Sequence, residues 1–114
     1  MSTGQVQKRA TAKRDLVRHY VYLAEAAGIE TAERFLLQAD ESFSNLALHP
    51  EMGAALLGHR PELAEIRKWH VKGFETFLIF YQPRQHGVSI VRVLHGAQDW
   101  WSFLGGTLSG FSPG

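Results

Sequence analysis

Cysteine is absent from the 114 residues. That excludes a disulfide framework, a thiolate zinc site and a cysteine nucleophile. Long apolar runs are absent too. Nothing in the chain approaches the roughly 18 residues needed to span a bilayer, and the amino terminus carries no apolar core of the signal-peptide kind. The expectation is a soluble, cytoplasmic protein without a membrane partner. No phosphate loop, dinucleotide fingerprint or Gly-x-Ser-x-Gly elbow occurs, which removes support from nucleotide enzymes and classical hydrolases. Six histidines are present, but no His-x3-His or Glu-x-x-His pair is among them, so neither a metal nor a cofactor is expected.

An excess of charge of one sign is also missing: 12 lysines and arginines face 11 acids. The charges are nevertheless segregated. Lys8, Arg9, Lys13, Arg14 and Arg18 crowd the start, Arg67, Lys68, Lys72, Arg84 and Arg92 fall on or near predicted strands, and most acids lie between. Such segregation can make a local basic surface on a near-neutral protein, suited to an acidic partner or nucleic acid, or simply a set of solvated faces.

What remains is an ordinary globular composition, 45% hydrophobic, in a length that forms one domain with its own core. The chain is organised around residues 76–99. Residues 76–81 are an unbroken apolar and aromatic run, too short for a typical helix, which suits a strand covered on both faces. Pro83 and Gly87 bracket a polar turn at 82–86. Residues 88–94 then alternate, with Val88, Ile90, Arg92 and Leu94 on one face and Ser89, Val91 and Val93 on the other, which predicts the second strand of a hairpin.

Earlier, residues 5–10 read as a short edge strand with Val6 as its one apolar residue; lysine and arginine there discourage pairing with other chains. Residues 12–27 predict a helix with Leu16, Tyr20, Leu23 and Ala27 on its buried stripe, Thr11 as cap and Gly28 as exit. A second helix follows, capped by Thr31, buried through Ala32, Phe35, Leu36, Ala39, Phe43 and Leu46 and stopped by Pro50. The proline- and glycine-punctuated stretch 51–63 reads as a loop with one helical turn at 54–57, and 66–71 as a strand with Trp69 and Val71 on one face. The predicted fold is therefore α+β in two layers, a helical hairpin on a small antiparallel sheet in the order β-α-α-β-β-β, over a domain of residues 5–104 with 105–114 a disordered tail.

Three places could carry chemistry or recognition. His95, at a strand end four residues before Asp99, could do acid–base work on a phosphate ester with Arg67 and Arg92, or could only make turn hydrogen bonds while Asp99 caps the next segment. Arg92 is either the exposed tip of an apolar strand face or the partner of an acid from the helices. Of the adjacent Trp100 and Trp101, only one can pack from a regular segment, leaving the other as a lid or a protein-binding anchor. Tyr22 lies off the buried stripe of the first helix and is available to a partner.

The run Ala12-x-x-Asp15-Leu16, then Tyr20, then Ala32-x-x-Phe35 resembles the helical half of the ParE branch of the RelE/ParE toxins. Leu46-Ala-x-x-Pro50-x-Met52-Gly53, Ile66-Arg67 and Phe77-Leu-Ile-Phe-Tyr81 add to the likeness, and Val91-Arg92-Val93-Leu94-His95-Gly96-Ala97-x-Asp99 is its closest part. The resemblance covers roughly residues 6–104. It implies the toxin half of a bacterial type II toxin–antitoxin module, of the plasmid-stabilisation kind, in a hetero-oligomer with a co-encoded antitoxin and touching DNA only through that antitoxin. ParE-like members inhibit DNA gyrase by protein binding; RelE-like members cut messenger RNA on the ribosome. Gln98 stands where the family usually has arginine, and no clear terminal tyrosine is present, so the expectation leans towards a non-enzymatic gyrase inhibitor. The alternatives are an endoribonuclease using Arg67, Arg92 and His95, and a degenerate, non-toxic antitoxin binder. Target-binding candidates are Arg92, His95, Gln98, Asp99, Trp100 and Trp101; antitoxin-binding candidates are Val6, Tyr22 and Trp69.

Overall fold

The computed structural model describes residues 4–56 and 65–96. In chain order these form β1 (Gln5–Lys8), α1 (Ala10–Ala27), α2 (Ile29–Leu48), β2 (Ala54–Ala55), β3 (Arg67–Val71), β4 (Phe74–Arg84) and β5 (Gly87–His95). The strands make one sheet in the order β1-β5-β4-β3-β2. The helical hairpin packs on one face and closes the main core, where Phe35, Phe43 and Leu46 meet Ile79, Tyr81, Ile90 and Val93. This is the two-layer α+β architecture predicted from the pattern.

The first strand is an edge, as its charge suggests, but it runs parallel to β5, with Gln5 opposite Gly87 and Lys8 opposite Ile90. Parallel neighbours need a long crossover, and the helical hairpin begins that return. At the opposite edge the expected helical turn at 54–57 is replaced by β2. Ala54 and Ala55 pair with Lys68 and Arg67, and the Leu56 N–H donates to the Ile66 carbonyl at 2.9 Å. The free edge of β3 claims the main-chain groups that a helical turn would have bonded locally.

Both helix starts differ from the pattern-based reading. α1 begins at Ala10 with extended Arg9 at its N-cap, and the Thr11 hydroxyl instead donates to the Val91 carbonyl at 2.9 Å. α2 begins at Ile29, directly after Gly28 (φ +100°), which leaves Thr31 inside the helix. That positive φ is one glycine adopts readily and other residues resist. Leu16 and Leu23 are buried as predicted, but Tyr20 is half-buried and Ala27 exposed; Asp15 and His19 occupy the buried face beside them. On α2, Ala32, Phe35, Ala39, Phe43 and Leu46 are buried and Leu36 half-buried.

The run at 76–81 is covered on both faces. Phe77, Ile79 and Tyr81 join the helix-side core, while Phe80 joins a second cluster with Leu56, Ile66, Val91 and Leu94. The hairpin turn is shorter than predicted: β4 continues through Pro83 to Arg84, leaving residues 85 and 86 as the loop. Pro83 is tolerated because the pairing with β3 ends at Tyr81, so β4 has lost a neighbour before a residue without an N–H appears. The simple alternation expected on β5 is broken. Tyr81 sits opposite Ile90 and Phe80 opposite Arg92, which makes Val91 an extra residue in the ladder. Beyond this bulge the faces exchange: Val93 joins Val88 and Ile90 against the helices, and Leu94 joins Val91 on the far face.

Candidate functional site

The seam between α1 and β5 concentrates the buried polar groups. Asp15 projects from the apolar stripe of α1 and is 1% exposed. Arg92 Nε donates to its Oδ2 at 2.6 Å and Arg92 Nη2 to its Oδ1 at 2.8 Å. The Val93 N–H donates to Oδ2 at 3.0 Å, and Arg18 Nη2 to Oδ1 at 2.9 Å from one turn along the helix. Burial alone would raise the Asp15 pKa; the Arg92 hydrogen bond, the Val93 N–H and the two guanidinium groups outweigh it and hold the carboxyl below its ordinary value. Of the two readings of Arg92, the pairing with a helical acid is the one observed.

His19, one turn after Asp15, sits 2.7 Å from the Val93 carbonyl through Nε2. A carbonyl only accepts, so Nε2 carries the proton. Asp15 and His19 thus grip both main-chain polar groups of Val93 and pin α1 to the sheet. Burial leads the causes that depress the His19 pKa. Its ring packs edge-on to Phe77 at 4.9 Å, and Phe77 packs edge-on to His95 at 5.1 Å. Arg18, His19, Tyr22, Phe77 and His95 line a shallow pocket of about 330 Å³.

At the other edge, Arg67 Nη1 donates to the Gly53 carbonyl at 2.6 Å, and the buried Tyr81 hydroxyl donates to the Pro50 carbonyl and accepts from the Gly53 N–H. These contacts fasten the segment after α2 to the sheet.

The three residues suggested for RNA cleavage are not brought together. Arg67 sits opposite Tyr81, and His95 opposite Phe77. Tyr81 is four positions beyond Phe77 on β4, roughly 13 Å along the strand, with two strand spacings of about 5 Å each between β3 and β5. Arg92 shares β5 with His95, opposite Phe80, and its guanidinium is turned to Asp15. Val6 is half-buried on β1 against the main core, Trp69 is half-buried and stacks on His70, and Tyr22 is 60% exposed. Gln98, Asp99, Trp100 and Trp101 lie outside the described residues. Asp15 entered the sequence reading only as part of a resemblance, and His19 not at all. Their signal was present: positions 12, 15, 16, 19 and 23 share one helical face, and two of the five are titratable.

A family profile described as the ParE toxin of the type II toxin–antitoxin system parDE matches residues 6–100. The chain belongs to the ParE toxin family. The ParE fold is also seen in a solved structure described as the chromosomal ParDE TA system from P. aeruginosa, which aligns with a TM-score of 0.65 at 18% identity, over 83% of this chain and 96% of that one. No curated protein sequence matches. Within this ParE-type toxin, the Asp15–Arg92–Val93 contacts join the two halves that the family pattern spans.

Proposed function

We propose that this ParE-family chain is a toxin that acts by protein binding, inhibiting DNA gyrase, and that a cognate antitoxin neutralises it. The observation that carries this reading against RNA cleavage is the dispersal of Arg67, Arg92 and His95. Arg67 serves main-chain carbonyls, Arg92 a buried carboxylate, and His95 lies at the far end of the sheet from Arg67. General acid–base catalysis needs its groups within reach of one reacting phosphate. The gyrase-facing surface is assigned to the end of β5 and the residues after it, with His95, Gln98, Asp99, Trp100 and Trp101 as the contacts. The antitoxin surface is assigned to the outer helical face and the β1 edge, with Tyr22 and Val6, and to Trp69. Support for the helical face comes from Val17 and Val21, one turn apart on α1 and 63% and 48% exposed, which give an apolar partner a place to pack.

The test is induction of the chain alone in a bacterial cell, with DNA and protein synthesis followed separately. DNA synthesis failing first, with a DNA-damage response, is the expected result. Protein synthesis failing first, with cut messenger RNA, would replace the proposal with a ribosome-dependent nuclease. Growth without arrest while the protein accumulates would leave a non-toxic antitoxin binder. His95→Ala should abolish activity if proton transfer is the mechanism, whereas Trp100→Ala or Trp101→Ala should do more damage to a binding surface.

A further inference from the structure

The hairpin end of the sheet carries a second polar surface, remote from the α1–β5 pocket and unused by the gyrase-binding function. Val6 and Lys8 on β1 face the helices: Val6 packs on the main core, and Lys8 pairs with Asp40 on α2 at 3.5 Å. Strand alternation therefore turns Gln5, Gln7 and the extended Arg9 to the opposite face. Register across three strands sets them in two rows. Gln5, Gly87 and Arg84 form one, and Gln7, Ser89 and Gln82 the other. Gly87 lets the Gln5 main chain approach closely, and beside it a hollow of about 220 Å³ is walled by Gln5, Gln7, Arg84, Gln85 and His86.

Among the described residues, the charges here have no carboxylate beside them. Arg9 Nη2 and Arg84 Nη2 both donate to one neutral oxygen, Gln82 Oε1, at 2.6 and 3.1 Å. Two guanidinium groups are thus gathered on a single amide, and among the described residues no carboxylate pairs with either. The surrounding chain supplies none: residues 4–14 and 82–96 contain no aspartate or glutamate, while Lys13 and Arg14 add exposed positive charge at the start of α1. Burial, and after it the neighbouring Arg84 charge, depress the Arg9 pKa.

From this geometry we infer that the Arg9–Arg84 face is a phosphate-binding surface that takes the sugar-phosphate backbone of a nucleic acid. Paired guanidinium forks bind phosphate oxygens bidentately, and the flanking amides of Gln5, Gln7 and Gln85 add neutral donors of the kind that position a backbone without reading sequence. An acidic protein segment would be attracted by the same charge. The phosphodiester is favoured because this three-strand face is largely polar and, among the described residues, carries no large exposed apolar side chain in which a peptide could anchor. The contact is direct, in contrast to the expectation that DNA is reached only through the antitoxin, and it stands whether or not gyrase is the target.

The experiment is fluorescence anisotropy of the full chain with a labelled 20-base-pair duplex DNA of arbitrary sequence and a labelled single-stranded RNA, between about 50 and 200 mM salt, with polyglutamate as competitor. Binding should weaken with salt. Arg9→Gln and Arg84→Gln should each lower the slope of log affinity against log salt by about one on the duplex. Arg84 is exposed on the hairpin and its side chain bonds only the Gln82 amide among the described residues, so Arg84→Gln gives the reading if Arg9→Gln perturbs folding. Duplex and RNA bound alike would identify the backbone alone as the ligand; preference for one would identify its natural source. No binding to either at low salt, slopes unchanged in all the variants, or displacement by polyglutamate at equal charge concentration would each overturn the proposal.

Discussion

Asp15 on the first helix and Arg92 on the last strand, 77 positions apart, close a bidentate ion pair with 2.6 and 2.8 Å contacts. The carboxylate is fully out of water and Arg92 is 12% exposed. A pair so buried contributes little net stability when both partners are present, because desolvation consumes most of the attraction. Its loss is a different matter.

Asp15→Ala takes the buried carboxylate away from the Arg92 and Arg18 guanidinium groups and removes the acceptor of the Val93 N–H. We expect a cost of about 3–5 kcal/mol. The double variant Asp15→Leu/Arg92→Met should recover a large part of it, since apolar isosteres of a buried pair are often tolerated. Urea unfolding of the single and double variants measures both. Equal destabilisation of the two would mean that the helix–strand seam depends on the charge itself.

Two groups at this seam make stability fall in acid. The His19 pKa is depressed in the fold, so the unfolded chain binds its proton first. Stability from this group is complete above about pH 6.5, the unfolded value, and is lost as pH falls towards the folded one. Asp15 is also depressed, and its contribution disappears only below about pH 4. Melting temperature against pH should therefore decline in two stages. His19→Gln, which keeps a donor for the Val93 carbonyl, should flatten the upper stage alone.

Tyr81→Phe deletes one hydroxyl and takes its partner from the buried Gly53 N–H and the part-buried Pro50 carbonyl. A loss of about 1–3 kcal/mol is expected, with faster amide exchange at Gly53 as the local readout. Gly53→Ala should cost at least as much, because a Cβ there would meet the Tyr81 hydroxyl and the Lys68 carbonyl at 2.5 and 2.8 Å.

Gly87→Ala should release the edge strand. A Cβ at that position would collide with the main chain of Gln5, so β1 has to move away from β5. Amide exchange at Gln5 and Gln7 should accelerate while the β4–β5 ladder beyond Val88 stays protected. An alanine variant that keeps β1 protected would show that the two strands can separate slightly without unpairing.

The strands and helices were legible because their apolar residues repeat at clean periods: 32, 35, 39, 43 and 46 on the second helix, and the unbroken run at 76–81. The bulge at Val91 was not. It depends on how β5 matches β4, and nothing in Val-Arg-Val-Leu announces an extra residue. The parallel edge was hidden for the same reason, since orientation follows from where the chain returns and not from the four residues of β1. The buried pair was half visible. Arg92 asked for an acid, but several helical acids could have answered, and only the packing of α1 over β5 selects Asp15.

The parallel pairing of β1 with β5 also sets a clock on synthesis. The α1–α2 hairpin can form from neighbouring residues as they emerge from the ribosome, but β1 and Asp15 wait for a strand made near the end of the described chain. Contacts between distant residues close slowly, and until they do the apolar faces of both helices lack their sheet. A newly made chain therefore passes through an interval in which it is bulky, sticky and not yet assembled. In that interval a chaperone, a protease or a waiting partner protein can reach it before the finished fold exists.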